Sequence, residues 1–232
     1  MGTGSPTRPR RPSGRRAARW RVVRASQVRR RSSRPPSGSA PHSRTGTVRD
    51  VPPSDASLCG IVLAAGAGTR HGGPKALVVP WLADAVHLLL DGGCERVVVV
   101  LGAAAQEARA LVPDDERVTA VVAERWADGL GESLRTGLAH ATGDAAVVTL
   151  VDLPGTPTSV ITRLLARTGD LRQVVYDGRP GHPVLIAAGH WAPLAATLHG
   201  DRGARGYLVR HGVVEVECGD LHDGLDEDVS RT

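Results

Sequence analysis

The sequence predicts an α/β fold, a three-layer α/β/α arrangement around a mostly parallel, Rossmann-like sheet. Three observations predict it. Apolar runs recur without polar alternation, at Gly60 to Leu63, Val97 to Leu101 and Ala145 to Val151. Such runs mark strands covered on both faces. Between them lie segments with helical spacing, such as Leu134, Leu138 and Ala141 at i, i+4 and i+7. The first run leads straight into a glycine-rich loop, and open parallel sheets bind ligands beyond the carboxyl ends of their strands.

Composition bounds the rest. The chain has 232 residues, 41% of them hydrophobic, enough for a core, but only 3% are aromatic and Phe is absent. Ala, Val and Leu must fill that core. No run approaches the ~18 apolar residues of a membrane span. The three cysteines, Cys59, Cys94 and Cys218, lie far apart and in no metal or redox spacing, as expected of buried thiols in a reduced, cytoplasmic setting. The nine histidines show no metal-ligand spacing.

Residues 1–57 stand apart. They carry 14 arginines against two acids, whereas the remainder has 15 basic and 22 acidic residues. The basic balance therefore belongs to this leader, which argues against a nucleic-acid partner for the rest. Its Arg, Ser, Pro and Gly cannot bury enough surface to offset chain entropy, so disorder is expected. A nucleic-acid or anionic-surface tail, a transit peptide and an over-extended start in a GC-rich gene compete as explanations. The last is favoured, with a true beginning near Val48. A single domain is expected over 58–232.

In that domain the first strand spans Gly60 to Leu63. Leu82 to Leu90 is helix-like and stops at Asp91-Gly92-Gly93. After the strand Val97 to Leu101, a helix begins near Ala103 and continues over Gln106 to Leu111, with Pro113 as its stop. Val118 to Ala123 is the next strand, Gly131 to Ala141 the next helix, and Ala145 to Val151 another strand. Thr156 is placed to cap a helix with Pro157 at its first position. Val160, Ile161, Leu164 and Leu165 form the buried stripe of that helix.

The chemistry concentrates at 58–77, LCGIVLAAGAGTRHGGPKAL. Gly66, Gly68, Gly72 and Gly73 let backbone N–H groups approach a phosphate chain, and Arg70 and Lys75 add positive charge. Lys75 is the chain's one lysine among 29 basic residues, which points to a need for a compact ammonium. A Walker loop is excluded, because Pro74 separates Gly73 from Lys75 and Ala76 follows. A dinucleotide fingerprint is excluded too, since its third glycine would be His71. The alternative is a plain glycine-rich surface turn. Asp152 follows an apolar strand in Val151-Asp152-Leu153-Pro154. It suits either a cation or an Asx-type turn.

Leu63-Ala64-Ala65-Gly66, Gly68, Arg70, Gly73, Pro74-Lys75 and Leu77 resemble the loop of the MobA-like nucleotidyltransferases, enzymes with a GT-A-like fold that move a nucleoside monophosphate from an NTP onto a phosphate. Trp126, Gly129, Ser133-Leu134 and Gly137-Leu138 resemble a further patch of that family near the nucleotide. Gly181-His182-Pro183-Val184-Leu185 and Gly200-Asp201-Arg202-Gly203-Ala204-Arg205 are similar to motifs of its molybdenum cofactor cytidylyltransferases. The resemblance covers residues 57 to the end. It departs at Ala123, where the family has Asn, and at Gly224-Leu225-Asp226-Glu227-Asp228, where it has Thr-Pro after the acidic pair.

The resemblance implies CMP transfer from CTP to a molybdopterin-type acceptor, with Mg²⁺ as cofactor. A molybdenum hydroxylase or its maturation factor would then be a protein partner. It implies Leu63, Ala64, Ala65, Gly66, Gly68, Arg70, Lys75, Gly129 and Ser133 at the nucleotide, with Arg70, Lys75 and Asp152 catalytic. Asp152 and Asp226 are the implied metal ligands. His182, Pro183, Asp201, Gly203 and Arg205 are implied at the acceptor. Plainer roles compete: His182 as a strand start, and Asp201 with Arg205 as an i, i+4 surface pair. The base follows from the loop, which reads Leu-Ala-Ala-Gly in the cytidylyl members and Leu-Ala-Gly-Gly in the guanylyl ones. Competing functions are a guanylyl or sugar-phosphate nucleotidyltransferase and a non-catalytic pterin-binding homologue.

Overall fold

The structure of the protein is a computed structural model that describes Met1 and residues 56–225. Residues 2–55 of the expected leader, and Asp226, lie outside the described residues. Ser57, at the leader's end, is tied to the domain: its N–H and hydroxyl donate to Asp144 Oδ2 at 2.9 and 3.0 Å.

Seven strands form one sheet: β1 Leu58–Ala64, β2 Arg96–Leu101, β3 Val118–Val122, β4 Ala145–Leu150, β5 Leu171–Tyr176, β6 Arg179–Ala187 and β7 Val214–Glu217. Their order is β3-β2-β1-β4-β6-β5-β7, and β6 alone runs antiparallel to its neighbours. The helices are α1 Trp81–Asp91, α2 Ala105–Arg109, α3 Leu130–His140, α4 Thr158–Leu165, α5 Trp191–Ala195 and α6 Arg205–Arg210.

The unbroken apolar runs produce three layers because successive strand residues face opposite sides. Val62 and Ala64 of β1, with Val97, Val99 and Leu101 of β2, pack under Val86, Leu89, Ile161 and Leu164 of α1 and α4. Ile61, Leu63, Val98 and Val100 face the other way, under Leu134, Leu138, Leu194 and Leu208 of α3, α5 and α6. Each face buries a layer of side chains. Among the described residues no helix is long and apolar enough to cross a membrane.

The expected elements through α4 appear, most within one or two residues of the expected bounds, but the cap of α4 differs. Thr156 Oγ1 donates to Leu153 O at 2.9 Å, so the hydroxyl closes the turn after β4 instead of accepting from the helix. Pro157 takes the cap position, with ψ 150°.

What positions the site is the order β2-β1-β4. The chain leaves β1 toward β2 on one side and meets β4 on the other, making β1 a switch point where a crevice opens. Leu63 pairs with Leu150, and Val151 N–H donates to Leu63 O at 3.2 Å. The glycine loop and the residues after β4 therefore emerge side by side.

Candidate active site

The loop after β1 is held closed by its own backbone. His71 and Gly73 donate their N–H groups to Gly68 O at 2.9 and 3.1 Å. Gly68 has φ +56°, and a Cβ there would stand 1.8 Å from Gly73 O. Only glycine fits. By contrast, a Cβ at Gly66, Gly72 or Gly73 would meet nothing within 4 Å, so that side of the loop is open to a ligand. Two of the loop's amides thus shape the loop itself.

Lys75 starts a short 3₁₀ turn, Lys75–Leu77, and its Nζ reaches Asp152 Oδ2 at 2.6 Å. The two side chains are 13% and 14% exposed. Asp152 Oδ1 is buried and has no hydrogen-bond partner. His71 Nδ1 is another buried atom without a partner, its ring 5.6 Å from that of Trp81.

Around these groups is a cleft of about 570 Å³. It brings together Leu63, Ala64, Ala65, Gly66, Gly68, Arg70, Lys75, Gly129, Ser133 and Asp152, as well as Trp126, Leu130, Leu150 and Val151. Asp201 lines it too, although its motif was expected at the acceptor. The reason lies at the start of α3. Gly131 N–H donates to Gly200 O at 2.9 Å, and a Cβ on Gly129, which has φ +110°, would stand 2.4 Å from Gly200 C. Arg135 of α3 also donates to Leu198 O and to Ala195 O. The 199–203 turn is thereby docked on α3, and Asp201 faces the cleft.

His182, Gly203 and Arg205 line a separate, smaller cavity of about 230 Å³. Asp201 and Arg205 thus border different spaces, and Asp201 lies in a turn ahead of α6, so the helical i, i+4 pair is not formed. Pro183 is buried within β6 and borders neither cavity. His182 Nδ1 lies 3.3 Å from Val148 O. Burial pushes its pKa below the ordinary value, against the Val148 carbonyl and the Asp152 charge, which raise it. Gln173 also lines this cavity and was missed in the sequence. Its signal was a lone amide inside the strand Leu171-Arg172-Gln173-Val174-Val175.

The arrangement suits a nucleoside triphosphate: an open glycine loop, cations at its end and a carboxylate across from them. Residues 60–216 match the family model described as the MobA-like NTP transferase domain. The chain belongs to this family. Nicotine blue oxidoreductase of Paenarthrobacter nicotinovorans is 40% identical over 191 residues, spanning 74% of this chain and 92% of that protein. The crystal structure of Rv0371c from Mycobacterium tuberculosis H37Rv is 27% identical with a TM-score of 0.62, over 75% of this chain and 93% of that one. A manganese complex of that mycobacterial protein is 26% identical with a TM-score of 0.57, over 70% and 88% of the two chains.

A divalent cation is what such a family member would hold. Among the described residues no three His, Cys, Asp or Glu side chains converge on one point. Asp152 nonetheless fits. A buried carboxylate oxygen without a donor is costly, and Oδ1 is such an atom. Mg²⁺ needs only one or two carboxylates beside substrate phosphates.

Proposed function

We propose that this MobA-like family member transfers CMP from CTP to the phosphate of a molybdopterin-type cofactor, with release of pyrophosphate. The observation that carries the reading is the Lys75–Asp152 pair at the mouth of the glycine loop, with Asp152 Oδ1 left buried and unsatisfied. An acceptor phosphate oxygen attacks the α-phosphorus in line. The bond from that phosphorus to the bridging oxygen breaks, and its electrons leave with pyrophosphate. The protein's work is positioning and charge compensation. The loop amides cradle the triphosphate, and Arg70 and Lys75 offset its charge. Asp152 would hold Mg²⁺, which when bound neutralises phosphate charge; Asp226 is proposed as the second ligand. Ser133 and Gly129 border the nucleotide. A cytoplasmic setting is proposed with it, supported by three buried cysteines that form no disulfide, and a molybdenum hydroxylase or its maturation factor would receive the product.

The test is a panel of CTP, GTP, ATP and UTP with purified molybdopterin, reading pyrophosphate. Release with CTP is expected. No release with any nucleotide would reject the reading.

A second reading has one observation behind it, the 40% identity to a protein named nicotine blue oxidoreductase. In that case the cleft would serve a redox reaction rather than cleavage of a nucleotide. Reduction of a dye by the purified protein with an added reductant, without pyrophosphate release from any nucleotide, would decide for it.

A further inference from the structure

β4 and β5 both run antiparallel to β6, and β7 runs parallel to β5, so these three strands end at one edge of the sheet, where the cleft opens. After β7 the chain turns back along that edge. Cys218 N–H donates to Val175 O at 2.8 Å, and Leu221 N–H to Cys218 O at 2.9 Å. Tyr176, the last residue of β5, then fixes its path. The Tyr176 ring is buried, and its Oη donates to His182 O at 2.8 Å. Gly224 crosses its face with φ +66°, so closely that a Cβ there would stand 2.0 Å from Tyr176 Cδ2. His222 meets the same ring edge-on, centroids 5.8 Å apart, and its side chain is largely buried.

Both nitrogens of His222 are used. Gly224 N–H donates to Nδ1 at 2.9 Å, so Nδ1 keeps its lone pair and the proton sits on Nε2. Nε2 lies 3.3 Å from Pro154 O, an acceptor only, and donates to it. The Asp223 carboxylate, 3.7 Å from Nδ1, therefore has no proton to accept there. The imidazole thus joins the segment after β7 to the turn after β4, across 68 residues of sequence.

That turn carries Asp152. β4 ends at Leu150 and α4 starts at Thr158, so neither strand nor helix holds the Asp152 backbone. Side chains hold the two carbonyls that follow it. Thr156 Oγ1 donates to Leu153 O at 2.9 Å, and His222 donates to Pro154 O. The Thr156 bond is local and closes the turn on itself. The His222 bond is the one that ties the turn to the Tyr176 platform.

We infer that His222 is a positioning residue for Asp152: by tying Pro154 to the segment after β7, its imidazole holds the turn from which Asp152 offers Oδ1 to a divalent cation. The inference rests on the proposed role of Asp152 as a metal ligand, and not on which base or acceptor is used.

The probe is Mn²⁺ alone, its binding to the full chain read from loss of the free-ion electron paramagnetic resonance signal. Asp152→Asn should abolish Mn²⁺ binding. His222→Asn keeps an acceptor where Nδ1 meets Gly224 but cannot reach Pro154. It should weaken Mn²⁺ about tenfold, the scale of losing a group that orients a metal ligand. His222→Gln places an amide N–H near the position of Nε2 and should restore most of that affinity, which a general loss of packing would not do. Should the Asn variant fail to fold, the wild-type protein still decides: ¹⁵N NMR of the imidazole should show the proton on Nε2, and a proton on Nδ1 overturns the inference. Mn²⁺ binding that is lost in Asp152→Asn but unchanged in His222→Asn, or no better in His222→Gln than in His222→Asn, overturns it too and leaves the metal ligand standing. Mn²⁺ binding unchanged in Asp152→Asn rejects the metal ligand and the inference with it. The expected variant pattern without pyrophosphate release from CTP and molybdopterin keeps the inference and rejects the cytidylyl reading alone.

Discussion

Lys75 Nζ and Asp152 Oδ2 meet at 2.6 Å across 77 residues of sequence, each side chain largely buried. One ends the glycine loop, the other begins the turn after β4. At this burial the pair interacts more strongly than a surface ion pair. It also fixes two loops against each other, the glycine loop and the turn after β4.

Asp152→Asn should therefore lower turnover about 10²-fold or more, since charge neutralisation by a metal is worth several kcal/mol. Stability should fall as well, by ~1–3 kcal/mol, because a largely buried charge-assisted hydrogen bond between Lys75 and a carboxylate becomes one to a neutral amide. Pyrophosphate release and thermal melts measure the two. Near-normal turnover with Mg²⁺ would remove Asp152 from the site.

Lys75→Arg should be damaging although the charge is kept. A guanidinium is planar and larger, and the space beside Asp152 is filled at 2.6 Å by a compact ammonium. A clear drop in kcat/KM is expected in a steady-state assay. Wild-type kinetics would make the single lysine an accident of composition.

Gly68→Ala should open the loop. A methyl at 1.8 Å from Gly73 O cannot be accommodated, and φ +56° adds ~1–2 kcal/mol of backbone strain. Nucleotide affinity should drop at least about tenfold while the sheet survives. Calorimetric titration with CTP alongside circular dichroism separates these, and unchanged affinity would show that the closed loop is not the binding form.

The half of the fold that the sequence displays is the half built from β1 to β4. Their apolar runs are unbroken because both faces are buried, and the loop and Asp152 follow from where those runs end. The other half hides for physical reasons. Arg172 and Gln173 interrupt β5. Pro180, Gly181 and Pro183 make β6 look like turns, yet it tolerates them where β5 slips register. The helices α5 and α6 span five and six residues and contain Pro193 and Gly206, too short to show a stripe. The motif puts Asp201 at the acceptor with Arg205, but the backbone bond from Gly131 to Gly200 docks its turn on α3, where Asp201 lines the cleft. No local pattern reports a contact between residues so far apart.

The three thiols should be inert in the folded protein. Cys59, Cys94 and Cys218 are buried. Desolvation raises the pKa of each, that of Cys94 to about 12, so the reactive thiolate is scarce at neutral pH. A colorimetric disulfide reagent should find no thiol in native protein and all three after denaturation. Rapid native labelling would mean that one of them is reached by local opening.

If the protein uses CTP as proposed, its base preference should turn on Ala65. This residue is 3% exposed, lines the cleft, and its carbonyl accepts from Ala103 N–H at 3.0 Å. Its backbone is hemmed in from behind as well, since a Cβ on Gly102 would stand 2.6 Å from Ala65 O. A residue held this way cannot retreat from a bulky ligand, so on the proposed reading its methyl would narrow the slot for the base. A pyrimidine would fit such a slot and a purine would strike the wall. Forcing one methyl's worth of volume into a packed site costs about 1–3 kcal/mol, or roughly 10- to 100-fold in discrimination. Selection against UTP needs hydrogen bonds to the pyrimidine edge, which backbone groups would supply. Ala65→Gly should raise GTP use relative to CTP by about that factor, measured as the ratio of kcat/KM values in both proteins. An unchanged ratio sinks the steric account, because the methyl would then not touch the base. A wild-type preference for GTP sinks the cytidylyl assignment itself, whatever the mutant does.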